Sequence, residues 1–185
     1  IGSLVEFKNI TPIMTLIHTL QDFAYYDQLT GLLNRRSFTQ KLIDYNNPKY
    51  LPVGLVVGDV NNLKRVNDTY GHATGDILLY LITDILKEES PKQADWFRVG
   101  GDEFVAIIPN TAEREMQKLL QAVQARCDAF DDPRFAGSGI ALAFRMRETM
   151  GEDMGALIAD ADRAMYADKW NRRKLPQQAQ NAVLQ

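Results

Sequence analysis

The chain has 185 residues, a length typical of one domain. Its 45% hydrophobic and 24% charged residues are ordinary for a globular protein. The 21 basic and 24 acidic residues give a net charge of -3, which disfavours a nucleic-acid partner because such proteins need a clustered basic face. Cys127 is the single cysteine, so an internal disulfide and a cysteine-rich zinc site are excluded. No run of 18 apolar residues and no signal peptide occurs, so we expect no membrane contact from these residues.

The N-terminal segment is predicted as a linker helix. Thr11 and Pro12 are typical of a helix start, and apolar residues follow at helical spacing as far as Phe23. The chain starts at Ile1 rather than Met, so we expect residues 1–26 to lead in from an upstream domain. Residues 27–174 are predicted as one domain, and the Gln-rich residues 175–185 as a frayed tail.

The rest of the pattern alternates helices and strands. Helices are predicted from the cap at Asn34 to about Pro48, over 72–89, from a capping box at Asn110 and Glu113 to about 130, and over 152–170. Strands are predicted over 51–57, 96–99, 104–108 and 136–144. Gly100 and Gly101 predict a two-residue hairpin, because both glycines can take the positive φ that such a turn requires. The expected fold is α+β, with one central, mostly antiparallel sheet flanked by helices.

Acidic residues follow one predicted strand and the predicted hairpin turn. Asp59 follows an apolar strand, and Asp102 and Glu103 follow the paired glycines. A carboxylate there is costly unless it is paired or bound to metal, and such oxygen ligands suit Mg²⁺ or Mn²⁺. The alternative, that all three are solvated turn acids, stays open. Because adjacent strand residues point to opposite faces, Asp102 and Glu103 are not both expected to face one metal in regular geometry.

Four sequence blocks resemble one known family. They are Asp27-Gln-Leu-Thr-Gly-Leu-Leu-Asn-Arg-Arg36, Asp59-Val-Asn-Asn-Leu-Lys-Arg-Val-Asn-Asp68 with Gly71-His72 and Gly75-Asp76, Arg98-Val-Gly-Gly-Asp-Glu-Phe104, and Ala161-Asp-Arg-Ala-Met-Tyr-Ala-Asp-Lys169. In this order they resemble the motifs of GGDEF domains, over residues 27 to 173. The resemblance implies a fold like the palm of nucleotidyl cyclases and polymerases. It also implies a diguanylate cyclase, which condenses two GTP molecules into cyclic di-GMP in the cytoplasm.

The resemblance further implies roles for single residues. Metal ligands would be Asp59, the Val60 carbonyl, Asp102 and Glu103, which hold two Mg²⁺ or Mn²⁺ ions per site. Asp102 and Glu103 would be catalytic, with Asp102 the base for the 3′-hydroxyl. Substrate GTP would be bound by Asn62, Leu63, Lys64, Asn67, Asp76, Gly100, Gly101, Lys169 and Arg173, with Asn67 and Asp76 on guanine. Each domain would hold one GTP, so a homodimer is expected.

The resemblance leaves an alternative function open, and the chain departs from the family motifs at Asn61, at Arg172 and in the segment 92–95. The alternative is a catalytically silent module that binds GTP or cyclic di-GMP as a sensor, although an intact signature favours the enzyme. Many relatives carry an inhibitory Arg-x-x-Asp before the signature. Here Lys92 replaces the arginine, and one residue fewer separates Asp95 from the signature. Lysine lacks the bidentate fork of arginine, so weak product inhibition is expected.

Overall fold

The computed structural model describes residues 22–182, except for the side chains of Asp168 and residues 170–182. The linker helix predicted over residues 1–26 therefore lies almost entirely outside the described residues, as does the side chain of Arg173. The strands are β1 (Leu33–Asn34), β2 (Val53–Asn61), β3 (Asp95–Arg98), β4 (Glu103–Pro109) and β5 (Gly139–Arg147). The helices are α1 (Arg35–Asp44), α2 (Leu63–Tyr70), α3 (His72–Glu89), α4 (Glu113–Asp128) and α5 (Met154–Ala182).

One five-stranded sheet in the order β1-β3-β4-β2-β5 organises the domain. Among the strands of residues 22–182, the two-residue β1 pairs in parallel with β3, while β3–β4, β4–β2 and β2–β5 are antiparallel. The predicted α+β fold with a mostly antiparallel sheet is confirmed. Long β2 lies between β4 and β5, which accounts for its continuous run of buried residues.

Helices cover both faces of the sheet. One face packs Val56 and Val60 of β2 against α2, α3 and α4. The other face packs Val53, Leu55 and Val57 against α1 and α5. Because successive side chains of a strand alternate between faces, Asp59 lies on the α1–α5 face and its neighbour Val60 on the opposite one. The sheet therefore separates two helical layers, and the side chains of Asp59 and Val60 at the end of β2 face different ones.

Local capping signals gave one correct and one wrong prediction. The Asn34 side chain accepts a hydrogen bond from the Ser37 N–H and caps α1, as predicted. The predicted capping box at Asn110 and Glu113 is wrong. Asn110 adopts a left-handed φ of 51°, and its N–H donates to the Tyr50 carbonyl. This contact with the segment before β2 delays the helix, and the Glu115 carboxylate accepts from the Ala112 N–H at 2.8 Å instead.

Element bounds also differ from the sequence prediction. Helix α3 matches the predicted range of 72–89, whereas β2 extends four residues further than predicted, to Asn61. Strand β5 begins at Gly139 rather than residue 136 because the Ala136 and Gly137 carbonyls accept hydrogen bonds from Arg65 and Asn62. Helix α2 and strand β1 were missed, and the backbone of α5 continues to Ala182, through most of the predicted tail.

Within residues 22–182, no helix combines the length and the apolar character that crossing a membrane requires.

Candidate active site

The register of β2 and β4 places two of the predicted acids opposite each other. Asp59 pairs with Glu103, and the Val60 N–H donates to the Asp102 carbonyl at 2.9 Å. Directly opposed residues of an antiparallel pair share a face, so Asp59 and Glu103 lie on the same face of the sheet. Asp102 precedes β4 and belongs to the turn, so strand alternation does not fix its side chain. The Val60 carbonyl points toward the same turn, because the N–H and C=O of a strand residue share a side.

The turn between β3 and β4 differs from the predicted hairpin. Four residues, 99–102, connect the strands, and the Val99 N–H donates to the Glu103 carbonyl at 2.9 Å. Neither Gly100 nor Gly101 has a positive φ, so the prediction of a two-residue, positive-φ turn is wrong. A Cβ on Gly100 would overlap the Glu103 carboxylate, whereas a Cβ on Gly101 would meet nothing within 4 Å. Gly100 therefore gives Glu103 room, and Gly101 leaves open space at the end of the turn.

Lys169 brings a positive charge to the acidic edge. Its ammonium group forms an ion pair with the Asp59 carboxylate, across 110 residues of sequence. Both side chains are largely buried, at 15% exposed for Lys169 and 26% for Asp59. Helix α5 makes this contact possible because Ala161 and Met165 pack on Val57 and Val105 and fix the helix against the sheet.

Arg98 is a residue of the site that the sequence analysis did not single out. Its guanidinium donates to the Gly101 carbonyl from Nη2 at 2.6 Å and from Nε at 3.2 Å, and to Asp27 Oδ1 from Nη1 at 3.0 Å. Asp27 Oδ1 also accepts from the N–H and hydroxyl of Thr30, at 2.8 and 2.7 Å. Burial raises the pKa of Asp27, but these hydrogen bonds outweigh it and hold the pKa below its ordinary value. Arg98 thus connects the turn of residues 99–102, called the signature turn below, to Asp27 near the start of the domain.

Helix α2 begins two residues after β2, beside the acidic edge. Val66 donates the first hydrogen bond of the helix, to the Asn62 carbonyl, so the N–H groups of Leu63, Lys64 and Arg65 have no partner within the helix. Such groups favour an anion. The Asn62 side chain is used otherwise, since its amide donates to the Gly137 carbonyl at 2.7 Å. The Lys64 side chain is exposed, and no ion pair involves it among the described residues.

Asn67 of α2 and Asp76 of α3 lie near the junction where the two helices pack together. Asn67 contacts Gly75, which immediately precedes Asp76. Both side chains are half-buried, and no hydrogen bond to either is found among residues 22–167 and 169. A half-buried amide and carboxylate without internal partners can pair with a ligand that carries both donors and acceptors.

The donor set agrees with magnesium but does not form a closed cage. In the part of the chain that the structure describes, no three Asp, Glu, His or Cys side chains cluster closely enough to hold a metal alone. Mg²⁺ is usually bound by one or two carboxylates together with substrate phosphates. The opposed Asp59 and Glu103, the Val60 carbonyl and the neighbouring helix N-terminus fit this shared mode of binding.

Comparison with known proteins identifies the family. The family model described as "Diguanylate cyclase, GGDEF domain" matches residues 24–175. Diguanylate cyclase DosC of Escherichia coli is 29% identical over 178 residues, which are 90% of this chain and 39% of DosC. The chain thus spans about two-fifths of that relative.

Two solved structures share the fold. The coiled coil and GGDEF domain of DgcB from Caulobacter crescentus, solved with c-di-GMP, has a TM-score of 0.73 at 24% identity, over 88% of this chain and 89% of that one. Diguanylate cyclase SiaD of Pseudomonas aeruginosa, solved with its activator SiaC, has a TM-score of 0.72 at 25% identity, over 87% and 64%. The chain belongs to the GGDEF domain family.

Proposed function

We propose that this chain is the catalytic domain of a diguanylate cyclase, which converts two GTP molecules into one cyclic di-GMP and two pyrophosphates. The observation that carries the proposal is the pairing of Asp59 with Glu103 beside the free N-terminus of α2. This arrangement offers oxygen ligands for a metal at the end of β2 and N–H donors for phosphate at the start of the helix that follows it. Membership of the GGDEF domain family supports this proposal.

Mg²⁺ or Mn²⁺, two ions per active site, would be held by Asp59, the Val60 carbonyl, Asp102 and Glu103. When bound, such ions stabilise the charge on the attacking and leaving oxygens of a phosphoryl transfer. The Lys169 ammonium, paired with Asp59, adds positive charge at the same edge. We propose that it holds the phosphates together with Lys64, Arg173 and the first N–H groups of α2.

Guanine would bind at the junction of α2 and α3. The Asp76 carboxylate accepts from guanine N1–H and its 2-amino group, and the Asn67 amide supplies further hydrogen bonds to the base. Adenine presents an acceptor at N1, so the contact with Asp76 becomes repulsive. The open space beside Gly101 lets the nucleotide approach the turn.

In the reaction, the 3′-hydroxyl of one GTP attacks the α-phosphorus of the other. Asp102 removes the hydroxyl proton, the new P–O bond forms, and the bond to pyrophosphate breaks. A second, equivalent attack closes the ring. Because each domain binds one GTP, two copies must face each other as a homodimer, and much of the catalysis is positioning.

A silent module that binds GTP or cyclic di-GMP as a sensor is the second candidate, and the open contacts of Asn67 and Asp76 are consistent with it. Incubation of the purified chain with GTP and Mg²⁺, followed by chromatography, separates the two. We expect cyclic di-GMP to accumulate, with a specific rate that rises with protein concentration as dimers form. GTP that binds but stays unchanged at every protein concentration would favour the sensor.

A further inference from the structure

Gly75 is a helical glycine whose backbone does not require glycine. It lies inside α3, it is buried, and its φ is not positive. Gly71, which precedes the same helix, differs because its φ of 86° does favour glycine. Within a helix, glycine is less favourable than alanine. Glycine at position 75 is therefore explained by the room that a side chain would occupy, not by backbone conformation.

The space above Gly75 is filled by Asn67. A Cβ at position 75 would overlap Asn67 Oδ1, and it would lie 2.9 Å from Asn67 Cγ and 3.3 Å from Leu63 Cδ1. Because Cγ itself is too close, a rotation of the terminal amide alone cannot relieve the overlap, so the whole Asn67 side chain has to move away from position 75. Asn67 can move in this way because no hydrogen bond holds its side chain among the described residues.

We propose that Gly75 is a specificity-determining residue: its missing side chain lets Asn67 lie against α3 in the position from which it contacts the base. This inference rests on the proposed function, since it takes guanine as the ligand of Asn67 and Asp76. Gly75 acts through Asn67 and is thus a positioning residue. Alanine at position 75 leaves the fold intact and turns Asn67 away from the neighbouring Asp76.

The test is a double-mutant cycle with Gly75→Ala, Asn67→Ala and the double variant, using GDP and ADP as non-reacting probes in calorimetry with Mg²⁺. Gly155→Ala is the matched control. It makes the same change in helix α5, where a Cβ would meet only Asp153 Oδ1, at 3.2 Å. Thermal unfolding of each variant checks the fold.

We expect Gly75→Ala to lower GDP affinity about tenfold, to leave ADP affinity unchanged and to keep or raise the midpoint of thermal unfolding. In the Asn67→Ala background the same change should have no further effect, because the side chain that it displaces is gone. A second tenfold loss in that background, an equal loss for ADP, or GDP affinity within twofold of the wild type would overturn the inference. If the wild type itself bound GDP no better than ADP, the guanine assignment of the proposed function would fail first.

Discussion

Replacing Arg98 by methionine tests whether the signature turn is held by the contact between Arg98 and Asp27. Methionine keeps an unbranched side chain of similar reach and removes all three donated hydrogen bonds. Hydrogen bonds to charged groups contribute about 1.5–3 kcal/mol each. The Gly101 carbonyl lies in an exposed turn, so water can replace the hydrogen bonds that Arg98 donates to it and recover part of the lost free energy. We therefore expect a loss of about 3 kcal/mol in the free energy of unfolding, or roughly 6–12 °C in the melting midpoint.

The same substitution should change catalysis and the response to acid. The turn carries Asp102 and leads directly into Glu103 at the start of β4. Small displacements of catalytic groups cost up to about 100-fold in rate, so we expect at least a tenfold lower turnover at saturating GTP if these acids have their proposed roles. Because the folded pKa of Asp27 lies below its ordinary value, its stabilising effect is present above the ordinary pKa and is lost as pH falls through the folded pKa. Removing Arg98 should weaken this dependence on acidic pH.

The assay is urea unfolding at several pH values, together with initial rates. Arg126→Met is the matched control, because Arg126 also donates to two partners, Glu88 and Glu89, but with 48% of its side chain exposed. Such surface pairs contribute about 0–1 kcal/mol. If Arg98→Met cost no more stability than Arg126→Met, or kept full turnover, Arg98 would not hold the turn.

Three further predictions concern metal binding, recognition of the guanine base and inhibition by the product. Asp59→Asn should keep the fold and abolish turnover, because it removes ligand charge and preserves volume; more than about a tenth of the wild-type rate would contradict the assignment. The wild type should favour GTP over ATP in kcat/KM by roughly 10–100-fold, and Asp76→Ala should remove most of this preference. Equal use of both nucleotides by the wild type would exclude the guanine contact. Cyclic di-GMP should inhibit weakly or not at all through residues 92–95, because Lys92 replaces arginine. In addition, Asp95 Oδ2 already accepts from Lys41 and the Tyr45 hydroxyl, both at 2.9 Å. Submicromolar inhibition that disappears in Asp95→Ala would refute this.

Sequence reasoning succeeded where the signal is local. The cap at Asn34 needs only a side-chain oxygen and an N–H three residues later, and α3 presents an apolar face over 18 residues. The positions of β2 to β5 followed approximately from runs of apolar residues, whereas the two-residue β1 has no such signal. The register of β2 and β4 did not follow, although it decides which of the two adjacent acids shares a face with Asp59.

Two of the failures share a physical cause, which is that distant contacts override local preference. Asn110 looked like a helix cap, but its contact with Tyr50 moves the helix start. Arg98 and Asp27 are 71 residues apart, so no spacing rule pairs them. Gly100 is a different case, because the contact that explains it is local: it looked like a turn residue chosen for φ, whereas its role is to leave room for the Glu103 carboxylate.

The most direct test of the central claim is the stoichiometry of the reaction. Purified chain incubated with GTP and Mg²⁺ should form one cyclic di-GMP and two pyrophosphates for every two GTP consumed, as quantified by chromatography and a pyrophosphate assay. The ratio should stay at two to one throughout the reaction once the linear intermediate has reached steady state. Release of inorganic phosphate with GDP, or of pyrophosphate with GMP, would contradict a condensation of two nucleotides at this site.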